Sequence, residues 1–149
     1  MNINRAGTAH LKGIEDCVKQ AYCHYEQRLG CLPAPMRENY AQVLEEKSVF
    51  VALEEGIKDV LGVLVLAQTP EGFLLDNIAV APKAQGRGVG KRLLALAEQQ
   101  ALAAGFTSIY LYTNVKMQEN RDLYQRMGYQ EYDLRNEQGL SRVYLRKSL

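Results

Sequence analysis

Apolar and polar residues follow two periods along this chain, and the switches between them lay out its elements. A short strand is expected at Asn2 to Ala6. From about Ala9 to Arg28 the apolar residues Leu11, Ile14, Val18 and Tyr22 recur at helical spacing, with Thr8 placed to cap the run and Gly30 after it. Pro33 and Pro35 make 32–36 a loop, and Arg37 to Glu46 reads as a second helix. The period then drops to two. Ser48 to Glu54, Val60 to Ala67 and Leu74 to Val80 read as strands joined by turns at 55–59 and 68–72, an antiparallel meander. On the third strand Leu74, Ile78 and Val80 are expected on one face, with a single carboxylate, Asp76, among them.

Pro82 stops that strand, because proline cannot donate to a sheet ladder. A long helical pattern follows (Val89, Leu93, Leu96, Ala97, Gln100, Ala101, Ala104), closed by Gly105. Thr107 to Thr113 is a strand with Ile109 and Leu111 on one face and Tyr110 and Tyr112 on the other. Met117 to Met127 is helical and Gly128 ends it. Tyr129 to Leu134 and Leu140 to Arg146 form a hairpin about a turn at 136–139. Strand, helix, strand in succession implies one parallel crossover pair; the other pairings are antiparallel. The fold class is therefore α/β (α+β): a mixed, mostly antiparallel sheet with helices on both faces.

With 149 residues, 1–149 is expected to be a single domain, and 47% apolar against 23% charged residues marks a globular chain. A net charge of +1 gives no electrostatic case for nucleic acid. No apolar run is long enough to span a bilayer and no signal peptide is visible, so no membrane partner is expected. Cys17, Cys23 and Cys31 are odd in number and form no C-x-x-C pair, which points to a reducing, cytoplasmic setting. His10 and His24 stand apart, so no metal is expected.

The chemistry gathers where the third strand meets the long helix. No Ser, Thr, Asp or Asn lies between Ala81 and Leu93, so no preferred side chain can cap the helix. Its first N–H groups still need acceptors. Gly86, Gly88 and Gly90 leave them bare, and Arg87, Lys91 and Arg92 make the turn cationic. Such a terminus suits a phosphate. The spacing excludes a Walker A loop, since three residues separate Gly86 from Gly90 and Arg92 follows Lys91; it also excludes G-x-G-x-x-G. What remains is Gln-x-x-Gly-x-Gly at Gln85, Gly88 and Gly90. Ile78-Ala79-Val80-x-Pro82 precedes it, and Asn120-x-x-Leu123-Tyr124-x-x-x-Gly128-Tyr129 follows.

Taken together, these motifs resemble the GNAT superfamily of acetyl-CoA-dependent N-acetyltransferases, and the element order resembles that fold across essentially the whole chain. The resemblance implies that the two parallel strands splay apart to admit acetyl-CoA as co-substrate. Its pantetheine arm would lie along Ile78, Ala79 and Val80, and its pyrophosphate on the loop Gln85, Gly86, Arg87, Gly88, Val89, Gly90 and Lys91. The Val80 N–H would polarise the thioester carbonyl. Tyr124 takes the place of the family's general acid, facing the thioester sulfur. The family's asparagine seven residues before that tyrosine is replaced by Met117, so Asn120, with Asn114 as the alternative, is expected to make the amide contact.

An amine nucleophile must be neutral when it attacks, and Asp76 is the candidate base; Glu26 and a water chain ending at Tyr112 are the alternatives. For the acceptor, the stretch 22–36 supplies two rings (Tyr22, Tyr25), a carboxylate (Glu26), a cation (Arg28) and Met36. Rings with a carboxylate suit an ammonium, and Arg28 suits a carboxylate on the same molecule. A small amine or amino-acid-like acceptor is thus expected, attacked directly in a ternary complex. The alternatives are a protein N-terminal or lysine acetyltransferase and, in another class, a CoA-binding module without turnover. A homodimer is left open.

Overall fold

The computed structural model describes residues 1–23, 34–54 and 59–149. Strands β1 (Asn2–Arg5), β2 (Ser48–Leu53), β3 (Val60–Thr69), β4 (Gly72–Val80), β5 (Ser108–Asn114), β6 (Gln130–Glu137) and β7 (Leu140–Ser148) form one sheet in the order β1-β2-β3-β4-β5-β7-β6. Every neighbouring pair is antiparallel except β4 and β5. Helices α1 (Leu11–Tyr22), α2 (Ala34–Arg37) and α3 (Tyr40–Glu46) cover one face. Helices α4 (Val89–Ala103) and α5 (Gln118–Arg126) cover the other.

The α4 side holds the larger core, with Leu64, Leu66, Leu75, Leu93, Ile109, Leu111 and Leu145 fully enclosed. Burying a leucine of this kind contributes about 1.5–3 kcal/mol. The α1 side packs Ile14, Val18, Tyr40 and Val43 onto Val49, Val51, Val63 and Val65. Helix α4 and the sheet approach closely at Gly62 of β3. A Cβ built there would lie 2.9 Å from both Val89 Cγ1 and Leu93 Cδ1 of α4.

Four local expectations are corrected. Thr8 does not cap α1; a 3-10 turn over Thr8–His10 precedes the helix, and the His10 Nδ1 accepts the Gly7 N–H at 3.0 Å. Residues 34–37 are not loop, because Pro35 falls in the first turn of a four-residue helix, where its missing N–H costs nothing. The expected helix from Arg37 breaks, and Asn39 restarts it by accepting the Gln42 N–H at 3.3 Å.

The fourth correction concerns β4. Its register against β3 slips between Leu75, opposite Leu66, and Asn77, opposite Val65, leaving Asp76 as a bulge residue. An extra residue reverses the alternation. Phe73 and Leu75 join Ile78 and Val80 on the α4 face, whereas Leu74 packs with Tyr110 and Tyr144 on the other. Leu74 and Ile78 therefore do not share a face.

The parallel pair is held by one register point, Leu74 opposite Tyr110. Beyond it β4 and β5 separate. On β5 the expected faces hold: Ile109 and Leu111 enter the α4 core, and Tyr110 and Tyr112 the opposite cluster. The closing hairpin turns at Gln138 and Gly139, both at positive φ. Among the described residues no helix is long and apolar enough to cross a membrane.

Candidate active site

The gap between β4 and β5 opens into a cleft. Asp76, Asn77 and Ile78 line it from β4, and Leu111, Tyr112, Thr113 and Asn114 from β5. Met117, Asn120 and Tyr124 close one side. Tyr22, Pro35, Glu38 and Tyr40 close the other, and Leu140 and Arg142 reach in from β7.

Backbone direction follows from one hydrogen bond. The Ala81 N–H donates to the Leu61 carbonyl of β3 at 2.9 Å. Alternation then turns the N–H and C=O groups of Ala79 toward β3 and those of Ile78 and Val80 toward the gap. The Ile78 carbonyl confirms this, because it accepts the Tyr22 hydroxyl at 2.8 Å. The Val80 N–H is thereby aimed into the space that β5 has vacated.

Helix α4 begins beside it. Gly88 is the cap residue, at φ +80° and without a side-chain cap, and a Cβ on Gly90 would sit 3.5 Å from Val80 Cγ2. The first helical bond runs from Arg92 N to the Gly88 carbonyl. The N–H groups of Val89, Gly90 and Lys91 precede it and belong to the set that a helix leaves without internal partners. Within the loop, Gln85 N–H is taken by the Pro82 carbonyl and Arg87 N–H by the Ala84 carbonyl. The Arg87 guanidinium holds Glu54 with two bonds, at 2.9 and 3.4 Å, and Lys83 holds Asp59 at 2.6 Å. Lys91 is exposed and carries no ion pair among the described residues.

Asn77 ties the floor of the cleft together. Its Oδ1 lies 3.0 Å from the Tyr22 hydroxyl, and its Nδ2 donates to the Tyr40 hydroxyl at 3.2 Å. Tyr40 in turn donates to the Pro35 carbonyl at 2.5 Å. Burial, reinforced by the nearby charges of Glu38 and Asp76, pushes the Tyr40 phenol well above its usual range, so it stays a neutral donor. Asn77 is the one buried polar residue among those described. Its place beside Asp76 in an apolar strand was the signal that could have found it.

Asp76 Oδ2 accepts from Lys47 Nζ at 2.9 Å, while Oδ1 has no hydrogen bond among the described residues. The pair is shielded, with side-chain exposures of 13% for Asp76 and 26% for Lys47. Burial alone would lower the Lys47 pKa, but the hydrogen bond and charge of Asp76, with Glu38 behind them, hold it above the usual value. No pattern in the sequence pairs residues 47 and 76. The Tyr112 phenol is raised by burial first and by Asp76 second, and Arg142 acts against both.

Tyr124 faces the cleft from α5, 8% exposed, with its ring edge-on to Tyr129 at 5.7 Å. Asn120 is one turn earlier on the same lining, within 4.0 Å of the Met117 sulfur. Asn114 also lines the cleft, but its Oδ1 is spent on the Lys116 N–H at 2.9 Å. Met36 packs against the α1 core and does not line the cleft. Tyr25, Glu26 and Arg28 lie outside the described residues. Cys17 and Cys23 are free thiols, and burial pushes the Cys17 thiol up to about 12. Among the described residues no cluster of three or more His, Cys, Asp or Glu side chains could hold a metal.

The sheet is antiparallel except at one parallel pair, and a helix N-terminus without a side-chain cap lies beside the opening, an arrangement that defines a mixed α/β fold class. Residues 14–129 match the Acetyltransferase (GNAT) family, and the chain belongs to that family. No curated protein sequence matches it. Several solved structures share the fold. A GNAT family acetyltransferase from Elizabethkingia anophelis with acetyl-CoA bound is 20% identical, with 99% of this chain and 97% of that one covered and a TM-score of 0.73. The ribosomal-protein-S18-alanine N-acetyltransferase from Escherichia coli is 17% identical, with coverages of 99% and 92% and a TM-score of 0.77. Nourseothricin acetyltransferase is 24% identical over 69% of this chain, which spans 65% of that protein, with a TM-score of 0.61.

Proposed function

We propose that the protein transfers an acetyl group from acetyl-CoA to the primary amine of a small or amino-acid-like acceptor, within one ternary complex. The observation that carries this reading is the alignment at the gap. The Val80 N–H faces the space left by β5, and the uncapped N-terminus of α4 lies against the Val80 side chain. A molecule with a linear amide arm and a pyrophosphate matches both features in order. The acetyl-CoA bound by the Elizabethkingia protein has that chemistry.

When bound, acetyl-CoA supplies an activated acetyl group as a thioester. This chain would do the rest. Val89, Gly90 and Lys91 offer N–H groups and the helix dipole to the diphosphate, with the Lys91 ammonium beside them. Ile78 and Val80 align the arm, and Asn120 contacts its amide. Val80 N–H is the donor toward carbonyl charge. Asp76, held through Oδ2 by Lys47, presents Oδ1 to the acceptor ammonium and takes its proton. Tyr124 donates a hydrogen bond to the sulfur as it leaves. Of the described cysteines, neither Cys17 nor Cys23 lines the cleft, in keeping with direct attack and no acyl-enzyme.

The test is thiol release from acetyl-CoA on mixing with a panel of amines, amino acids and peptides. Turnover with small acceptors is expected, and Tyr124→Phe should lower kcat with little change in the acetyl-CoA KM. Binding of CoA without thiol release from any amine would make the protein a binding module instead. Release confined to peptides would move the acceptor to a protein chain.

A further inference from the structure

Several of the described arginines are held by hydrogen bonds. Arg87, Arg121 and Arg135 each grip a carboxylate with paired guanidinium bonds: Glu54, Glu131 and Glu71 respectively. Arg146 donates to the Ser108 hydroxyl at 3.0 Å and the Glu71 carbonyl at 3.1 Å. Arg142 differs. It lines the cleft with its side chain only 14% exposed, yet its guanidinium makes no hydrogen bond among the described residues.

It forms an ion pair with Glu137, Nη1 to Oε2 at 3.7 Å, longer than a hydrogen bond, while the other oxygen, Oε1, accepts the Tyr144 hydroxyl. The guanidinium is nonetheless held in place. It lies over the Tyr112 ring, 4.9 Å from the centroid, and its backbone is paired on both sides, to Asn114 of β5 and Arg135 of β6. A half-buried fork of five donors, fixed in orientation and held only by a long ion pair to Glu137, has hydrogen-bonding capacity left for a planar anion.

Asp76, Tyr112 and Arg142 all line the cleft, and the charges of Asp76 and Arg142 act on the Tyr112 phenol in opposite senses. The cleft thus carries a carboxylate, Asp76, and a guanidinium, Arg142, the latter lying over the Tyr112 ring. We propose that Arg142 forms an anion subsite that takes the carboxylate of an acceptor whose amine is presented to Asp76. The proposal rests on the acetyl-transfer reading and narrows it to amines that also carry a carboxylate.

The test compares acids with their neutral twins. Glycine, β-alanine, 4-aminobutyrate, 6-aminohexanoate and a set of dipeptides are assayed beside the corresponding carboxamides, with wild type, Arg142→Met and Arg142→Lys. Wild type should favour the acids. Arg142→Met should raise their KM about 10- to 100-fold, the range expected for lost charge-assisted hydrogen bonds, and leave the carboxamides and the acetyl-CoA KM unchanged. Arg142→Lys, which keeps the charge without the fork, should fall between. The series of amine-to-carboxylate separations also measures the distance between the Asp76 carboxylate and the Arg142 guanidinium. No preference for acids in wild type, an acid preference that survives Arg142→Met, or an equal rise in the acetyl-CoA KM would each overturn the proposal. If no amine is acetylated, the transfer reading fails by itself. The subsite is then read from the rise in melting temperature that the acids, not the carboxamides, give the CoA-loaded wild type and not Arg142→Met; no such difference overturns it.

Discussion

Gly62 sets how closely α4 can approach the sheet, so Gly62→Ala tests whether the helix is seated as described. The new Cβ would meet Val89 Cγ1 and Leu93 Cδ1 at 2.9 Å and the Ala79 carbonyl oxygen at 3.3 Å. Both side chains are completely enclosed, so they have little room to retreat. Overpacking of this kind costs about 1–3 kcal/mol. Replacing a strand glycine returns about 0.5–1 kcal/mol of backbone entropy, leaving a net loss of about 1 kcal/mol at the midpoints of the two ranges. For a domain of this size that lowers the melting temperature by about 2–4 °C. Urea denaturation should show a lower midpoint at unchanged slope. Gly7→Ala is the control, since nothing lies within 4 Å of its added Cβ; it should stay within about 0.5 kcal/mol of wild type. The helix presents the N–H groups proposed to hold the diphosphate, so Gly62→Ala should also weaken the stabilisation that CoA confers. A melting temperature equal to or above wild type would show that α4 does not rest on this glycine.

Two further predictions follow from charge. Asp76→Asn should reduce kcat without changing the acetyl-CoA KM, and should cost about 1–3 kcal/mol by stranding Lys47, less than for a fully buried pair; adding Lys47→Met should restore stability but not rate, and recovery of rate would leave Asp76 a purely structural role. Glu71 is held below the usual carboxylate range by Arg135 first and the Tyr132 hydroxyl next, so its contribution to stability is complete above that range and is lost as pH falls through the depressed value. Wild type should therefore be more stable than Glu71→Gln near neutrality, with the two curves converging in acid; a constant gap down to pH 3 would refute the assignment.

The start of α4 was legible because it is written in local chemistry: three glycines, no capping side chain and a cationic turn. Tyr124 and the β5 faces were legible because helical and strand periods place them unaided. What escaped the sequence shares one physical character. A bulge adds a residue without changing composition, so Asp76 reads as part of a regular alternation. Lys47 and Asp76 are far apart in the chain, and only the sheet brings them together. Arg142 looks like any strand arginine until the partners of its neighbours are counted. Asn39 and Pro35 were misjudged for a different reason: each is a helix-start residue lying inside a stretch assigned as a whole to helix or to loop.

The bulge at Asp76 also marks a boundary in the sheet. It follows the single register point of the β4–β5 ladder, at Leu74, beyond which the protein has a sheet edge in its own middle. Exposed edges invite other chains to add themselves, and proteins ordinarily guard them with charges, prolines or covering loops. This one is guarded by architecture: β5 and β7 stand across from it, and the Tyr22 hydroxyl already occupies one of its carbonyls. A foreign strand, bristling with side chains on both faces, cannot slide in broadside. The unbranched arm proposed to lie there suits such an opening better than a strand with side chains on both faces.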